Sequence, residues 1–307
     1  MPIPDFQTLM LPLLKHTADD GDHNLPETED YLARFFKLNE AERNQLLSSG
    51  KQSRFDNRIG WAKQHLMKAG LLESPRRSVF RITERGKAVL NQQPERINMA
   101  FLRQFPEYLE FLRPSNNETG AKESVEGLET IEQSPKEVLD DAFLRLRKAL
   151  QQELLEKVRQ SHWRFFERLV VELLVRMGYG GSVKDAGQVT QPTNDGGIDG
   201  VIKEDKLGLD VIYLQAKRFD ADRKVGRPDI QSFVGALEEK RAMKGVFITT
   251  SSFANTANDY VKNISKKVIL IDGEQLAGLM IDYGVGVSTV DIYEIRRLDS
   301  DYFDSEV

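Results

Sequence analysis

Residues 114–137 constrain the fold of this chain more than any other stretch. They hold six Glu and two Lys, interrupted by Pro, Gly and Ser, and no aromatic residue. Such a segment cannot bury enough apolar surface to offset the entropy of ordering its backbone. It reads as an acidic linker dividing the 307 residues into two parts, each long enough for its own core. The expected organisation is a domain over 1–112, the linker over 113–137 and a second domain over 138–307.

Composition then excludes several classes of function. Cysteine is absent, which removes disulfide scaffolds, thiolate metal centres and thiol nucleophiles. His16, His23, His65 and His162 stand far apart, so a catalytic metal is expected to be a hard cation held by oxygen. The longest apolar run, Leu9–Leu14, has six residues and contains a proline, against about 20 for a membrane helix. Met1-Pro2-Ile3-Pro4-Asp5 shows neither the basic nor the apolar region of a secretory signal. The cytoplasm is the expected compartment, with no membrane partner.

A net charge of −5 hides an uneven distribution. Residues 1–50 carry 4 basic and 9 acidic side chains, whereas residues 51–96 carry 11 basic and 4 acidic. A local positive field attracts a polyanion whatever the total charge. Periodicity in this first part predicts a winged helix. Helices are expected from Phe6, over 28–36 with Leu32, Phe35 and Phe36 inward, and over 55–69. Two short strands then flank Ser74-Pro75-Arg76-Arg77-Ser78, and a last helix opens at Thr83. In the third helix Ile59, Ala62, Leu66 and Ala69 make the buried stripe. Arg54, Arg58, Trp61, His65 and Lys68 make the opposite one, expected to meet DNA, while Arg76 and Arg77 contact phosphate.

In the second part a charged helix runs from Pro135 to about Gln160, and Ser161 caps the next. That helix carries Phe165, Phe166, Leu169, Val170, Leu173, Leu174 and Met177 as a wide apolar stripe. Gln191–Gly200 reads as a Gly-rich turn entering a strand. Val211–Lys217 alternates, so Tyr213, Gln215 and Lys217 share one face and Ile212, Leu214 and Ala216 the other. Burying an amide and an ammonium is costly unless they have partners or a task, and Asp199 can supply a carboxylate. An Asp, a Gln and a Lys two residues on suit phosphodiester hydrolysis. The carboxylate, with an oxygen such as the Ala216 carbonyl, holds a divalent cation that polarises phosphate and acidifies a water. The ammonium stabilises charge developing on phosphorus. Strands over 246–250 and 268–271 and helices over 229–242, 254–262 and 273–281 complete an α/β sheet with helices on both faces. Thr249-Thr250-Ser251-Ser252 is expected to cap the helix that follows it.

Longer strings extend the pattern. Phe166-Glu167 in a helix ending Arg176-Met177-Gly178-Tyr179-Gly180, then Asn194-Asp195-Gly196-Gly197-Ile198-Asp199-Gly200-Val201-Ile202, then Gln215-Ala216-Lys217-Arg218, then Gly245–Phe253 resemble the Mrr restriction endonucleases in order and spacing. These belong to the PD-(D/E)xK nuclease superfamily, here in a variant with Gln in place of the acidic residue. Arg58-Ile59-Gly60-Trp61-Ala62 and Leu66–Leu71 are similar to that family's winged-helix module.

The resemblance implies a carboxy-terminal PD-(D/E)xK restriction-endonuclease-like domain with an αβββαβ core, joined to an amino-terminal winged-helix DNA-binding domain. It places the catalytic Asp, Gln and Lys on Asp199, Gln215 and Lys217. Glu167 matches a helix carboxylate that supports the metal site in some relatives. The implied activity is a Mg2+-dependent type IV endonuclease cutting double-stranded DNA that carries methyladenine or methylcytosine. One site per chain and two strands to cut imply a homo-oligomer, a dimer or higher. On the residues alone another class stays open, a non-catalytic winged-helix DNA-binding regulator with a nuclease-like scaffold domain. A junction resolvase is the weaker enzyme alternative, since it needs no separate reader domain.

Overall fold

The computed structural model describes residues 2–113, 132–180, 198–205, 209–296 and 298. They form two compact units, one from the amino terminus through Arg145 and one spanning Leu146–Ile295.

In the first unit, Asp5 starts helix α1 (Phe6–His16) by accepting the backbone N–H of Gln7 and Thr8. The helix buries Phe6, Leu9, Met10, Leu13 and Leu14 against helix α4 (Arg54–Lys68). Helices α2 (Leu25–Phe35) and α3 (Glu40–Arg43) lie between them in sequence. The buried positions of α2 are Thr28, Leu32 and Ala33, so Phe35, expected inward, is 54% exposed. After α4, Gly70 adopts a φ of +70°, the left-handed stop that a side chain resists. Strands β2 (Leu72–Glu73) and β3 (Val79–Ile82) pair antiparallel around the arginine-tipped turn. Thr83 then caps helix α5 (Glu84–Asn91) through its hydroxyl. This is the predicted winged-helix order. Strand β1 (His23–Asn24) was not foreseen, because two residues cannot display alternation; it joins the free side of β3. Helices α6 (Met99–Leu102) and α7 (Pro106–Leu112) follow.

Residues 114–131 of the expected linker lie outside the described residues. Ser134 and Glu137, at its expected end, are instead buried in the first unit as helix α8 (Pro135–Gln160) begins. Each accepts the other's backbone N–H, a reciprocal cap.

In the second unit, helix α9 (Trp163–Arg176) buries Phe166, Leu169, Val170, Leu173 and Leu174, while Phe165 faces solvent. Its cap is His162, whose ring accepts the Arg164 N–H; the Ser161 hydroxyl, expected there, donates back to the Val158 carbonyl. Strands β4 (Gly200–Lys203) and β5 (Val211–Lys217) form an antiparallel hairpin. Helix α10 (Arg227–Glu239) leads to β6 (Lys244–Thr249), and α11 (Asn255–Lys262) leads to β7 (Lys267–Ile271), both parallel to β5. Helix α12 (Gly273–Asp282) ends the series. The sheet order is β4-β5-β6-β7. The described elements form the expected α/β sheet; of the three strands expected between the first two helices of the αβββαβ core, β4 and β5 are among the described residues. The turn over Gln191–Gly197 lies outside the described residues.

The predicted alternation of β5 holds. Ile212, Leu214 and Ala216 pack in the cluster built by α9, and Tyr213 packs with Phe233 and Phe247 on the other face. Among the described residues no helix is long and apolar enough to cross a membrane.

Candidate active site

Asp199 stands one residue before β4. Its N–H donates to the Leu214 carbonyl at 2.8 Å, continuing the hairpin ladder. Its Oδ2 then accepts the Ala216 N–H at 2.7 Å, replacing the backbone acceptor that the ladder lacks there. The N–H and C=O of one strand residue point to the same side. The Ala216 carbonyl therefore opens on the same edge as the Asp199 carboxylate.

Burial raises the Asp199 carboxyl above the usual range, opposed by the Ala216 N–H and the Lys217 ammonium. Glu167, in the first turns of α9, is raised as well, first by burial and then by the charge of Asp199, against Arg164 and Lys217. Glu167, Asp199 and the half-buried Lys217 thus lie within one electrostatic neighbourhood, to which Arg164 also contributes. Gln215 shares the strand face of Lys217 and is 4% exposed. Its Oε1 is sealed from solvent and has no hydrogen-bond partner among the described residues. An orphaned buried acceptor costs about 1–3 kcal/mol, and at a site it marks a place for a donor or a cation.

Among the described residues no three His, Cys, Asp or Glu side chains cluster as a metal cage. Mg2+ does not require one, since it keeps several waters and takes one or two carboxylates. The oxygens of Asp199, Glu167, Gln215 and the Ala216 backbone are of the hard type that this cation takes, and a chain without cysteine offers a soft metal no thiolate.

The hydroxyls after β6 do something other than expected. Ala254 caps α11, with no side-chain bond. Thr249 instead donates to the Lys217 carbonyl at 2.8 Å. Thr250 accepts the Phe219 N–H at 2.9 Å and donates to the Phe219 carbonyl at 2.6 Å, and Ser251 donates to the Arg223 carbonyl at 2.6 Å. They fasten the irregular chain leaving β5. Arg159 adds two bonds to the Thr250 carbonyl, and Arg218 bonds the Arg159 carbonyl.

The residues expected to meet DNA separate into two groups. Arg58 is 9% exposed and spends its guanidinium on the buried Glu137 carboxylate at 3.0–3.2 Å and on the carbonyls of Ile3 and Pro4. His65 is 4% exposed; its Nδ1 meets the Tyr108 hydroxyl at 2.7 Å, its ring stacks on Phe6, and burial pushes its pKa down to about 4. Both are therefore interior groups, a correction to the expected stripe. Helical spacing tells which residues share a face, not whether solvent covers that face; here α7 and the first turn of α8 do. Arg54 is partly exposed and lies 3.3 Å from Glu137. Lys68 is exposed, its ammonium over the Phe111 ring. Arg76 and Arg77 are exposed in the turn, with Arg76 paired to Asp22 at 3.1 Å. Trp61 is half-buried at the core edge and, with Gly60, Lys63, Gln64, Met67 and Lys68, lines an open groove of about 510 Å3. Lys63 and Gln64 were missed, although Gly60, Lys63, Gln64 and Met67 follow the same 3,1,3 spacing as any helix face.

The restriction endonuclease family matches residues 158–280, and the Mrr N-terminal domain matches residues 6–92. The type IV methyl-directed restriction enzyme EcoKMrr of Escherichia coli (strain K12) is 36% identical over 314 residues, covering 99% of this chain and 100% of that one. The chain belongs to the Mrr restriction endonuclease family. As a member of the Mrr family it is a DNA-cleaving hydrolase. Glu167, Asp199, Gln215 and Lys217 all fall inside the restriction endonuclease match. Two solved structures are also similar to this Mrr-family chain. The DNA modification-dependent restriction endonuclease AspBHI is 22% identical, with a TM-score of 0.37, over 56% of this chain and 41% of its own. The MspJI restriction endonuclease in complex with a 27-mer oligonucleotide is 19% identical, with a TM-score of 0.29, over 62% and 41%. The chain thus spans less than half the length of either.

Proposed function

We propose that this protein is a Mg2+-dependent endonuclease that hydrolyses phosphodiester bonds of double-stranded DNA bearing methylated bases, methyladenine or methylcytosine, in restriction defence. The observation that carries the reading is the shared electrostatic neighbourhood of Asp199, Glu167 and Lys217 at one end of β5, with the orphaned oxygen of Gln215 on the strand face of Lys217. The methyl-directed relative supports the substrate. Asp199 and the Ala216 carbonyl would hold the cation, with Glu167 as a second carboxylate. When bound, Mg2+ polarises the scissile phosphate and lowers the pKa of a water. Gln215 accepts a hydrogen bond from that water and orients it. Lys217 places its ammonium against the charge that grows on the phosphoryl oxygens. Residues 1–112 act as the DNA-choosing domain, through Lys68, the groove beside Trp61, and Arg76 and Arg77 on the turn. The enzyme works in the cytoplasm as a homo-oligomer, so that two sites reach two strands.

The test is digestion of matched methylated and unmethylated plasmids by the purified protein with and without Mg2+. Cleavage confined to methylated plasmid in Mg2+ is expected. Equal cutting of both plasmids overturns the substrate, and cutting in chelator overturns the metal.

A further inference from the structure

The register of β5 and β6 leaves Lys217 at the last rung, opposite Thr249. The backbone bond that closes this rung, from the Thr250 N–H to the Lys217 carbonyl, is long at 3.4 Å, near the limit for a hydrogen bond. The Thr249 hydroxyl makes the shorter bond to the same carbonyl, 2.8 Å, and is held in turn by the Ser251 N–H at 3.2 Å. Thr249 is fully buried, so water does not compete for that carbonyl from the hydroxyl's side. Beyond Lys217 the chain has no regular structure until it reaches α10.

We propose that Thr249 is a positioning residue for Lys217: its hydroxyl, rather than the fading ladder, fixes the backbone from which the lysine reaches the phosphate. Valine matches threonine in shape, but it cannot donate. This inference rests on the proposed role of Lys217. Charge stabilisation depends on placement; a shift of about 1 Å costs on the order of a hundredfold in rate.

The experiment is a double-mutant cycle on the full chain, read by single-turnover cleavage of a methylated duplex, DNA affinity without Mg2+, and melting temperature. Thr249→Val is expected to slow cleavage about 10- to 100-fold with DNA affinity within about threefold of the parent. Thr249→Ser, which keeps the hydroxyl, should recover most of the rate. In a Lys217→Met background Thr249→Val should cost less than about threefold, because coupled residues do not add. Should the valine variant fail to fold, Thr249→Cys, with a far weaker donor of serine's shape, takes its place. Parent rate in Thr249→Val, no recovery in Thr249→Ser, or a full cost on top of Lys217→Met overturns the positioning role. Parent rate in Lys217→Met alone overturns the catalytic reading of the lysine, a separate result.

Discussion

Glu137 and Arg58 offer a perturbation whose size follows from the structure. Glu137→Ala removes a carboxylate 3% exposed and leaves a guanidinium 9% exposed with only the carbonyls of Ile3 and Pro4. Breaking a buried pair from one side costs about 3–5 kcal/mol. The two remaining carbonyl acceptors favour the lower end for Arg58, while the lost Ser134 N–H bond and Arg54 contact add to the cost, so about 3 kcal/mol is the floor. Each kcal/mol moves the melting temperature of a unit near 150 residues by about 2–4 °C, so a fall of roughly 6–12 °C or more is expected by calorimetry. Asp22→Ala, which breaks the exposed pair with Arg76, serves as the control and should stay within about 1 kcal/mol. Arg58→Met combined with Glu137→Leu removes both charges and should recover the part of the loss due to the unpaired guanidinium, but not the Ser134 cap. Arg58→Met alone, assayed below its melting temperature, should bind DNA as the parent does. A Glu137→Ala protein melting within about 2 °C of the parent, or an Arg58→Met protein that keeps its stability and loses DNA affinity, would refute the interior assignment.

Two other outcomes are expected. Because the Asp199 carboxyl is raised by burial, its ionisation opposes folding; that cost is absent below the ordinary carboxylate range and appears as pH rises through the raised value. Asp199→Asn should therefore abolish cleavage while melting higher than the parent at pH 8, with the gap closing as pH falls toward and below the ordinary carboxylate range, and Mg2+ should raise the pH 8 melting temperature of the parent only; equal melting of the two proteins at pH 8 contradicts the burial argument. Replacing Arg76 and Arg77 by Gln should weaken DNA binding alike for all sequences and flatten the slope of log affinity against log salt by about 0.9 for each phosphate no longer neutralised, which a salt titration reads directly.

The sheet of the second unit was legible because its strands are long enough to alternate. Val211–Lys217 shows seven residues of alternation, and the strands and helices after it begin within two residues of their expected starts. Asp199 was legible as a carboxylate, but its bond to the Ala216 N–H was not, since it depends on where β4 starts relative to β5. Helix α4 was half legible. Ile59, Ala62 and Leu66 are core as expected. The opposite stripe is covered by Tyr108 and Glu137, 43 and 79 residues away in sequence from His65 and Arg58, and periodicity within a helix carries no record of neighbours at that range. The hydroxyl run Thr249–Ser251 was legible as polar groups at a strand end. Its task was hidden because the acceptors are backbone carbonyls, which every sequence contains.

One substitution in the motif also finds its reason in the site. The superfamily pattern has an acidic residue where this chain has Gln215, which is 4% exposed. Asp199 and Glu167 are already raised, in part by Asp199 in the case of Glu167, with Lys217 acting on both and Arg164 on Glu167. A third carboxylate at position 215 would lose its hydration and add like-charge repulsion, so near neutral pH one of the three would hold a proton rather than ionise. The amide supplies an oxygen lone pair without that charge, and its desolvation is far cheaper than that of an ion. A Mg2+ site needs one or two carboxylates, which in the proposed reading Asp199 and Glu167 would provide. In the proposed mechanism Gln215 then contributes orientation rather than charge, a role that suits a buried oxygen without a partner on the strand face of Lys217.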